Sequence, residues 1–207
     1  QEYNTVDLFS DVVNIISLRA AEKNLDFVTY LAPDLPSVLV GDDMRIKQIM
    51  INILSNAVKY TPEGFVFLSA RMEDGVLIAE IQDSGIGIRE EELSNLFTAF
   101  SQLDLRKNRG IEGTGLGLAL SRQLAQSMGG DIAVNSEYGA GSTFSLRVPQ
   151  KIMDAAPIVR VKEPGLKRVM VYGDGMSSEM LEKKLSHLHI PYDRAANETD
   201  FSAMVKT

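Results

Sequence analysis

The stretch from Asp42 to Thr61, DDMRIKQIMINILSNAVKYT, decides how the rest of the chain is read. Gly41 and Asp42 supply a helix start, and Thr61-Pro62-Glu63-Gly64 supplies a stop. At about 100° per residue, Ile46, Ile49, Met50, Ile53, Leu54, Ala57 and Val58 fall on one arc, a core-facing stripe. Asn52, Asn56 and Lys59 fall together on a different face, with Arg45 two turns earlier on the same side. Asparagine is a poor helix former because its side chain competes for backbone hydrogen bonds. Such a row is either a solvated polar face or a metal–phosphate site. In the second case an amide oxygen is a neutral hard ligand for Mg²⁺, and an ammonium one turn on meets a phosphate.

Upstream, Asn4 or Thr5 caps a first helix whose buried stripe is Val6, Phe9, Val12, Val13, Ile16 and Ala20. Asp26 to Leu31 reads as a strand, Pro33 and Pro36 force a loop, and Val38 to Val40 is a short strand. Downstream, Phe65 to Met72 and Val76 to Gln82 are strands joined through Glu73-Asp74-Gly75, a hairpin signal. The second of them runs into Asp83-Ser84-Gly85-Ile86-Gly87. Leu93 to Phe100 predicts a short helix, and Ser101 to Glu112 is a polar stretch without period. A loop that long in a compact domain is usually functional.

Gly113-Thr114-Gly115-Leu116-Gly117 opens a further helix that Gly129-Gly130 closes. Strands at Asp131 to Asn135 and Ser142 to Val148 flank a turn with Gly139 and Gly141. Helices interleave with hairpin-connected strands, which predicts a mixed sheet with helices on one face, a two-layer α/β (α+β) sandwich. Residues 1–150 form this domain and 151–165 a linker, with Ala155-Ala156-Pro157 inside it. Residues 166–207 read as strand, helix, strand, and about 40 residues rarely fold unaided, so this unit is expected to lean on the first or to lack order.

Composition sets outer limits. The chain has 207 residues, 44% of them hydrophobic and 24% charged, as in ordinary globular domains. A net charge of −7 argues against non-specific binding to nucleic acid or an anionic membrane. No apolar run approaches the roughly 20 residues of a membrane-spanning helix. The absence of cysteine removes disulfides and thiolate metal sites. Because the chain begins at Gln1 without methionine, we expect it to be a piece of a longer protein.

Several residues could carry chemistry. Gly113, Gly115 and Gly117 stand at a helix entrance, where free N–H groups and the helix dipole favour phosphate, although glycine there also serves turn geometry. Asp83 ends a strand ahead of a Gly-x-Gly turn; it is either an exposed turn residue or the acceptor for an exocyclic amine. Adenine offers such a donor, whereas guanine presents a carbonyl that would leave a buried carboxylate unpaired. Arg106, Lys107 and Arg109 lie in the polar loop, solvated or closing over a terminal phosphate, with Phe97 and Phe100 anchoring its base in the core.

In their order and spacing these elements resemble the sensor histidine kinases. Asn52-x-x-x-Asn56-Ala57-Val58-Lys59-Tyr60-Thr61 is similar to the N box, and Asp83-x-Gly85-x-Gly87 to the first glycine box. Phe97-x-x-Phe100 resembles the F box, and Gly113-Thr114-Gly115-Leu116-Gly117-Leu118 the second glycine box. Gly141-Ser142-Thr143-Phe144 also looks like that family. The resemblance covers Gln1 to about Gln150 and implies the Bergerat ATP-binding fold shared with gyrase, MutL and heat-shock chaperones.

It also implies roles. Asn56 would coordinate Mg²⁺, and Asn52 and Lys59 would contact phosphates and serve the transfer step. Tyr60, Gly85, Gly87, Ile88 and Phe97 would border the nucleotide, with Asp83 holding adenine and Thr143 supporting it. Arg106, Arg109 and residues 113 to 118 would shape the phosphate end. In the ATP-hydrolysing relatives a glutamate usually lies four residues before the metal-binding asparagine; here that position is Asn52, which cannot act as a general base. Phosphoryl transfer to an external nucleophile is therefore expected over hydrolysis by an ATPase clamp, with a non-catalytic nucleotide-sensing module as the alternative.

The nucleophile would be a histidine on a dimerisation hairpin that nothing in this chain resembles. His187 and His189, near a helix end, suit surface exposure or the helix dipole instead. Residues 166–207 look like the opening of a receiver domain, with Gly173-Asp174 where paired acids would be expected, hence degenerate or truncated. The resemblance thus implies ATP and Mg²⁺ as cofactors. The dimerisation domain and a response regulator or receiver are the implied partners, in the cytoplasm, with neither nucleic acid nor membrane contacting these residues.

Overall fold

The computed structural model describes residues 1–98, 116–195 and 197–205. Helix α2 (Asp43–Tyr60) is its axis: every residue of the apolar arc, from Ile46 to Val58, is buried. Asp42 caps its start by accepting the Arg45 amide at 3.1 Å, and the Thr61 hydroxyl donates to the Ala57 carbonyl at 2.7 Å at its end. Helix α1 (Thr5–Glu22) packs alongside, and the residue that follows it, Lys23, closes α2 from outside. The Lys23 ammonium donates to the carbonyls of Val58, Lys59 and Thr61 at 2.8, 3.0 and 3.0 Å. These acceptors are the orphan carbonyls of a helix end, where positive charge is also favoured by the dipole. Lys23→Met should cost about 1–2 kcal/mol in urea unfolding and loosen the last turn of α2, with faster amide exchange around Thr61. Unchanged stability and exchange would show that the cap contributes nothing.

The helices lie on one face of a five-stranded sheet ordered β2 (Asp26–Leu31), β4 (Phe65–Glu73), β5 (Val76–Asp83), β7 (Gly141–Pro149), β6 (Asp131–Glu137). The β2–β4 pair is parallel and the others are antiparallel, so the sheet is mixed, as expected. Asp74 and Gly75, with φ of 47° and 78°, make the two-residue turn whose twist suits the β4–β5 hairpin. Helix α4 (Gly117–Ser127) packs on α2 and on β6 and β7, completing the two-layer α/β sandwich.

Other expectations are corrected. In α1, Val6 is 42% exposed and Leu8 is buried in its place, because the buried arc is centred on Val12 and Ile16 and Val6 falls at its edge. The short helix is α3 (Glu90–Leu93), where Leu93 to Phe100 was expected, and Phe100 itself lies outside the described residues. Arg89 occupies the N-cap position, its backbone amide donating to Glu92 Oε2 at 3.4 Å, and Glu90, Glu91 and Glu92 sit in the first turn, where the dipole favours acids. The stretch read as linker begins with a strand, β8 (Lys151–Pro157), antiparallel to β3 (Pro36–Val40). The other side of β3 carries β1 (Glu2–Asn4), giving a second sheet ordered β1-β3-β8.

The C-terminal residues form β9 (Val169–Tyr172), α5 (Met176–His187) and β10 (Tyr192–Ala195), with the strands parallel, followed by α6 (Glu198–Val205), which was not foreseen. This receiver-like unit does lean on the sandwich, through α5 against β2. Lys183 Nζ lies 4.5 Å from the Tyr30 ring centroid, and the Tyr30 hydroxyl is 3.3 Å from His187 Nδ1. His187 Nε2 stands 3.5 Å from Asp34, so this histidine sits at the contact between the units rather than simply at the surface.

Candidate functional site

Along β5 the residues Leu77, Ala79, Ile81 and Asp83 alternate inward and all are buried, so the strand's last core position holds a carboxylate. Asp83 is 6% exposed. Burial pushes its carboxyl above the usual carboxylate range, opposed by hydrogen bonds from the backbone amides of Gly85 and Ser142. The Gly85 amide lies 2.9 Å from Asp83 Oδ1, which bends the chain back on the strand end. There it meets the C-terminus of α2: the Ile86 amide donates to the Tyr60 carbonyl at 3.2 Å. A methyl group at Gly85 would stand 2.5 Å from that carbonyl oxygen, so only glycine fits the approach.

Between α2, this turn, α4 and β7 opens a cleft of about 40 Å³. Asn56, Ala57 and Tyr60 form one side and Asp83 lies against Ser142 and Phe144; Ile86, Gly87, Ile88, Leu96 and Leu118 complete the lining. Of the residues expected from the sequence, Asn56, Tyr60, Asp83, Gly87, Ile88 and Leu118 are therefore brought together, with Gly85 shaping the turn beneath them.

Others stand apart. Asn52 is clamped between helices: its Nδ2 donates to the Ser121 hydroxyl at 2.9 Å, and a methyl on Gly117 would touch its Oδ1. Lys59 turns to Tyr60, with Nζ 5.0 Å from the ring centroid. Phe97 packs on the core with Arg122 4.8 Å over its ring, and Leu116 precedes α4 with 38% exposure. Thr143 is corrected. It pairs with Gln82, whereas Ser142 pairs with Asp83, and the alternation of a strand sends Thr143 to the other face of the sheet. Ser142 is the hydroxyl that lines the cleft. Phe100, Arg106, Lys107, Arg109, Gly113, Thr114 and Gly115 lie outside the described residues.

Ala57, Ile86, Leu96, Ser142 and Phe144 also line the cleft; the sequence reading placed Ala57 in the core arc and Ser142 and Phe144 in a motif, and gave none of the five a place at the nucleotide. A period-2 reading of Ser142, Phe144, Leu146 and Val148, all buried, was the available signal for the first and second strand positions.

The arrangement can do specific things. An ionised carboxylate offers about four lone-pair sites, and the amides of Gly85 and Ser142 take part of them, leaving Asp83 able to accept from a bound amine. The apolar side chains of Ile86, Ile88, Leu96, Leu118 and Phe144 suit a flat ring above it. Among the described residues there is no cluster of three or more His, Cys, Asp or Glu that could hold a metal. A lone amide oxygen, that of Asn56, fits Mg²⁺ that arrives already bound to phosphates, since this ion keeps several waters and takes few protein ligands.

Residues 41–152 match the family of histidine kinase-, DNA gyrase B- and HSP90-like ATPases. The sensor protein GacS of Pseudomonas syringae pv. syringae is 36% identical over 190 residues, 88% of this chain and 21% of that protein. The aerobic respiration control sensor protein ArcB of Escherichia coli K12 is 41% identical over 150 residues, 72% of this chain and 19% of that protein. The chain thus spans about a fifth of the length of these relatives. Among solved structures, full-length ShkA in complex with AMPPNP superposes with a TM-score of 0.80 at 26% identity, over 98% of this chain and 42% of that one. The catalytic domain of histidine kinase ThkA gives 0.62 at 25% identity, over 72% of this chain and 94% of that one. The matched residues are more than half of the sequence, so the chain belongs to the histidine kinase-, DNA gyrase B- and HSP90-like ATPase family, with sensor histidine kinases as its relatives.

Proposed function

We propose that the cleft binds Mg-ATP and presents its γ-phosphoryl group to a histidine on a separate dimerisation domain, as a step of two-component signalling. The buried carboxylate of Asp83, held by backbone amides and facing an apolar cleft, carries this reading, because it suits the exocyclic amine of adenine and disfavours guanine's carbonyl. Relatives that are sensor histidine kinases, and a structural neighbour whose complex contains AMPPNP, support it.

Tyr60 borders the nucleotide, and Asn56 supplies an oxygen ligand to the metal. Asn52 and Lys59 serve the phosphates from the same helix, with Arg106, Arg109 and residues 113 to 118 at the phosphate end. The chain's contribution to the transfer is positioning, since neither Asn52 nor Asn56 can abstract a proton. Residues 1–150 carry this activity, and residues 166–207 are a receiver-like segment of the same signalling protein. The likeness to sensor histidine kinases, and nothing in the fold, assigns the reaction to the cytoplasm; separately, no described helix is long and apolar enough to cross a membrane.

The direct test adds γ-labelled ATP and a separately made cognate dimerisation hairpin, then follows label onto its histidine. Transfer is expected with the hairpin and not without it; tight binding without transfer would leave a nucleotide-sensing module. A second expectation concerns the metal. Mg²⁺ titrated alone should give no heat, whereas Mg²⁺ should tighten ATP binding, because a single amide ligand cannot hold the ion unaided. Appreciable Mg²⁺ binding to the nucleotide-free protein would contradict the assignment of Asn56.

A further inference from the structure

Beneath the cleft, the Ser136 hydroxyl joins the glycine turn after β5 to the hairpin of β6 and β7. Ser136 lies on β6 opposite Ser142 of β7. Its Oγ accepts the Ile88 amide at 2.8 Å, pinning the glycine turn to the β6–β7 hairpin. The Gly139 amide, donating to the Ile86 carbonyl at 2.8 Å, holds the same turn from the hairpin tip. Ser136 Oγ also lies 2.9 Å from the Gly141 carbonyl and 3.0 Å from Ser142 Oγ. The Gly141 carbonyl can only accept whereas Ser142 can donate, so all these contacts are satisfied together when the single proton of Ser136 goes to Gly141. In the pair of hydroxyls, Ser142 is then the donor. In that arrangement its proton is directed at Ser136, which does not line the cleft, and its lone pairs are left for the cleft that it lines beside Asp83.

We propose that Ser136 is a positioning residue that sets the base preference of the cleft by holding Ser142 as a hydrogen-bond acceptor. This rests on the nucleotide-binding reading given above. With Ser142 so oriented, both side chains at the polar end of the cleft, Asp83 and Ser142, present acceptors. Such an end matches an amino group or an ordered water that donates. A purine with a carbonyl at that position finds no donor among them, and its oxygen faces lone pairs. Removing Ser136 frees the Ser142 proton to turn into the cleft, where it supplies the donor that a carbonyl purine needs.

ATP and inosine triphosphate separate these effects, because they differ at that position as amine against carbonyl. Calorimetric titration with each, in Mg²⁺, would be made on the wild-type chain, Ser136→Ala and Ser136→Thr, with thermal unfolding of each nucleotide-free protein. Ser136→Ala should lower the ratio of ATP to inosine triphosphate affinity at least about fivefold, and Ser136→Thr, which keeps the hydroxyl, should restore it. A merely structural role would weaken both nucleotides alike and leave the ratio unchanged, which would overturn the proposal. Should Ser136→Ala fail to fold, Ser136→Cys, similar in volume with a weak donor, is held to the same fall in ratio. A wild-type chain that binds neither nucleotide would sink the ATP reading and this inference together; wild-type selectivity that persists in Ser136→Ala would sink this inference alone.

Discussion

Asp83→Asn lowers ATP affinity by about 10- to 100-fold and largely abolishes the preference over GTP. A hydrogen bond to a charged acceptor is worth about 1.5–3 kcal/mol, and each 1.4 kcal/mol is about tenfold in affinity. The amide keeps an oxygen for the Gly85 amide but turns an N–H₂ toward the cleft, where an exocyclic amine would meet a donor instead of an acceptor. Calorimetry on the two proteins measures the difference, and equal affinities would remove Asp83 from the site.

The same carboxylate predicts a pH dependence. Burial raises its pKa in the fold, so the nucleotide-free protein gains relative stability from this group below the ordinary carboxylate range and loses it as pH rises through the raised value. Binding runs the other way. An amine needs the ionised acceptor, so ATP affinity should fall as pH drops through that raised value, earlier in acidification than for an ordinary aspartate. Asp83→Asn should flatten this limb of the profile; an identical limb in the variant would assign it to another group.

Gly141→Ala should destabilise the sandwich by about 2–4 kcal/mol and abolish nucleotide binding with it. Gly141 has φ of +112°, a conformation that L side chains rarely adopt, and an added methyl would lie 2.0 Å from the Asp83 carbonyl oxygen. Relief requires the start of β7 to move from the end of β5, where Asp83 pairs with Ser142. The shift disturbs both the carboxylate and the hydroxyl of the cleft. Urea unfolding and ATP titration read the two effects, and wild-type behaviour in both would contradict the β5–β7 register at this point.

How much of this was legible depended on how local the cause was. The stripe of α2 was readable in full because a long amphipathic helix repeats its buried face every turn, and Ile46 through Val58 leave little choice of arc. The β4–β5 hairpin was readable because Asp74-Gly75 accepts the positive φ that its turn requires. Asp83 drew notice only as a strand-end carboxylate ahead of a Gly-x-Gly turn, and its place on the inward row of Leu77, Ala79 and Ile81 is what the structure adds. By contrast, β8 has no alternation of its own, with its first five residues exposed, and exists because β3 is available more than a hundred residues earlier. Nothing local to Lys151–Pro157 announces that partner.

Thr143 was misplaced for a different reason. In a strand a slip of one residue moves a side chain to the opposite face, and only the pairing of Asp83 with Ser142 fixes the phase. Asn52 shares a helical face with Asn56, and its amide nitrogen also donates to Ser121 of the neighbouring helix, a partner far along the chain that no helical period announces.

The most direct measurement is a calorimetric titration of the chain with ATP and with GTP, each with Mg²⁺, at neutral pH. Saturable binding of ATP with GTP much weaker is the predicted result. No heat with either nucleotide, or equal affinity for both, would contradict an adenine site built on Asp83.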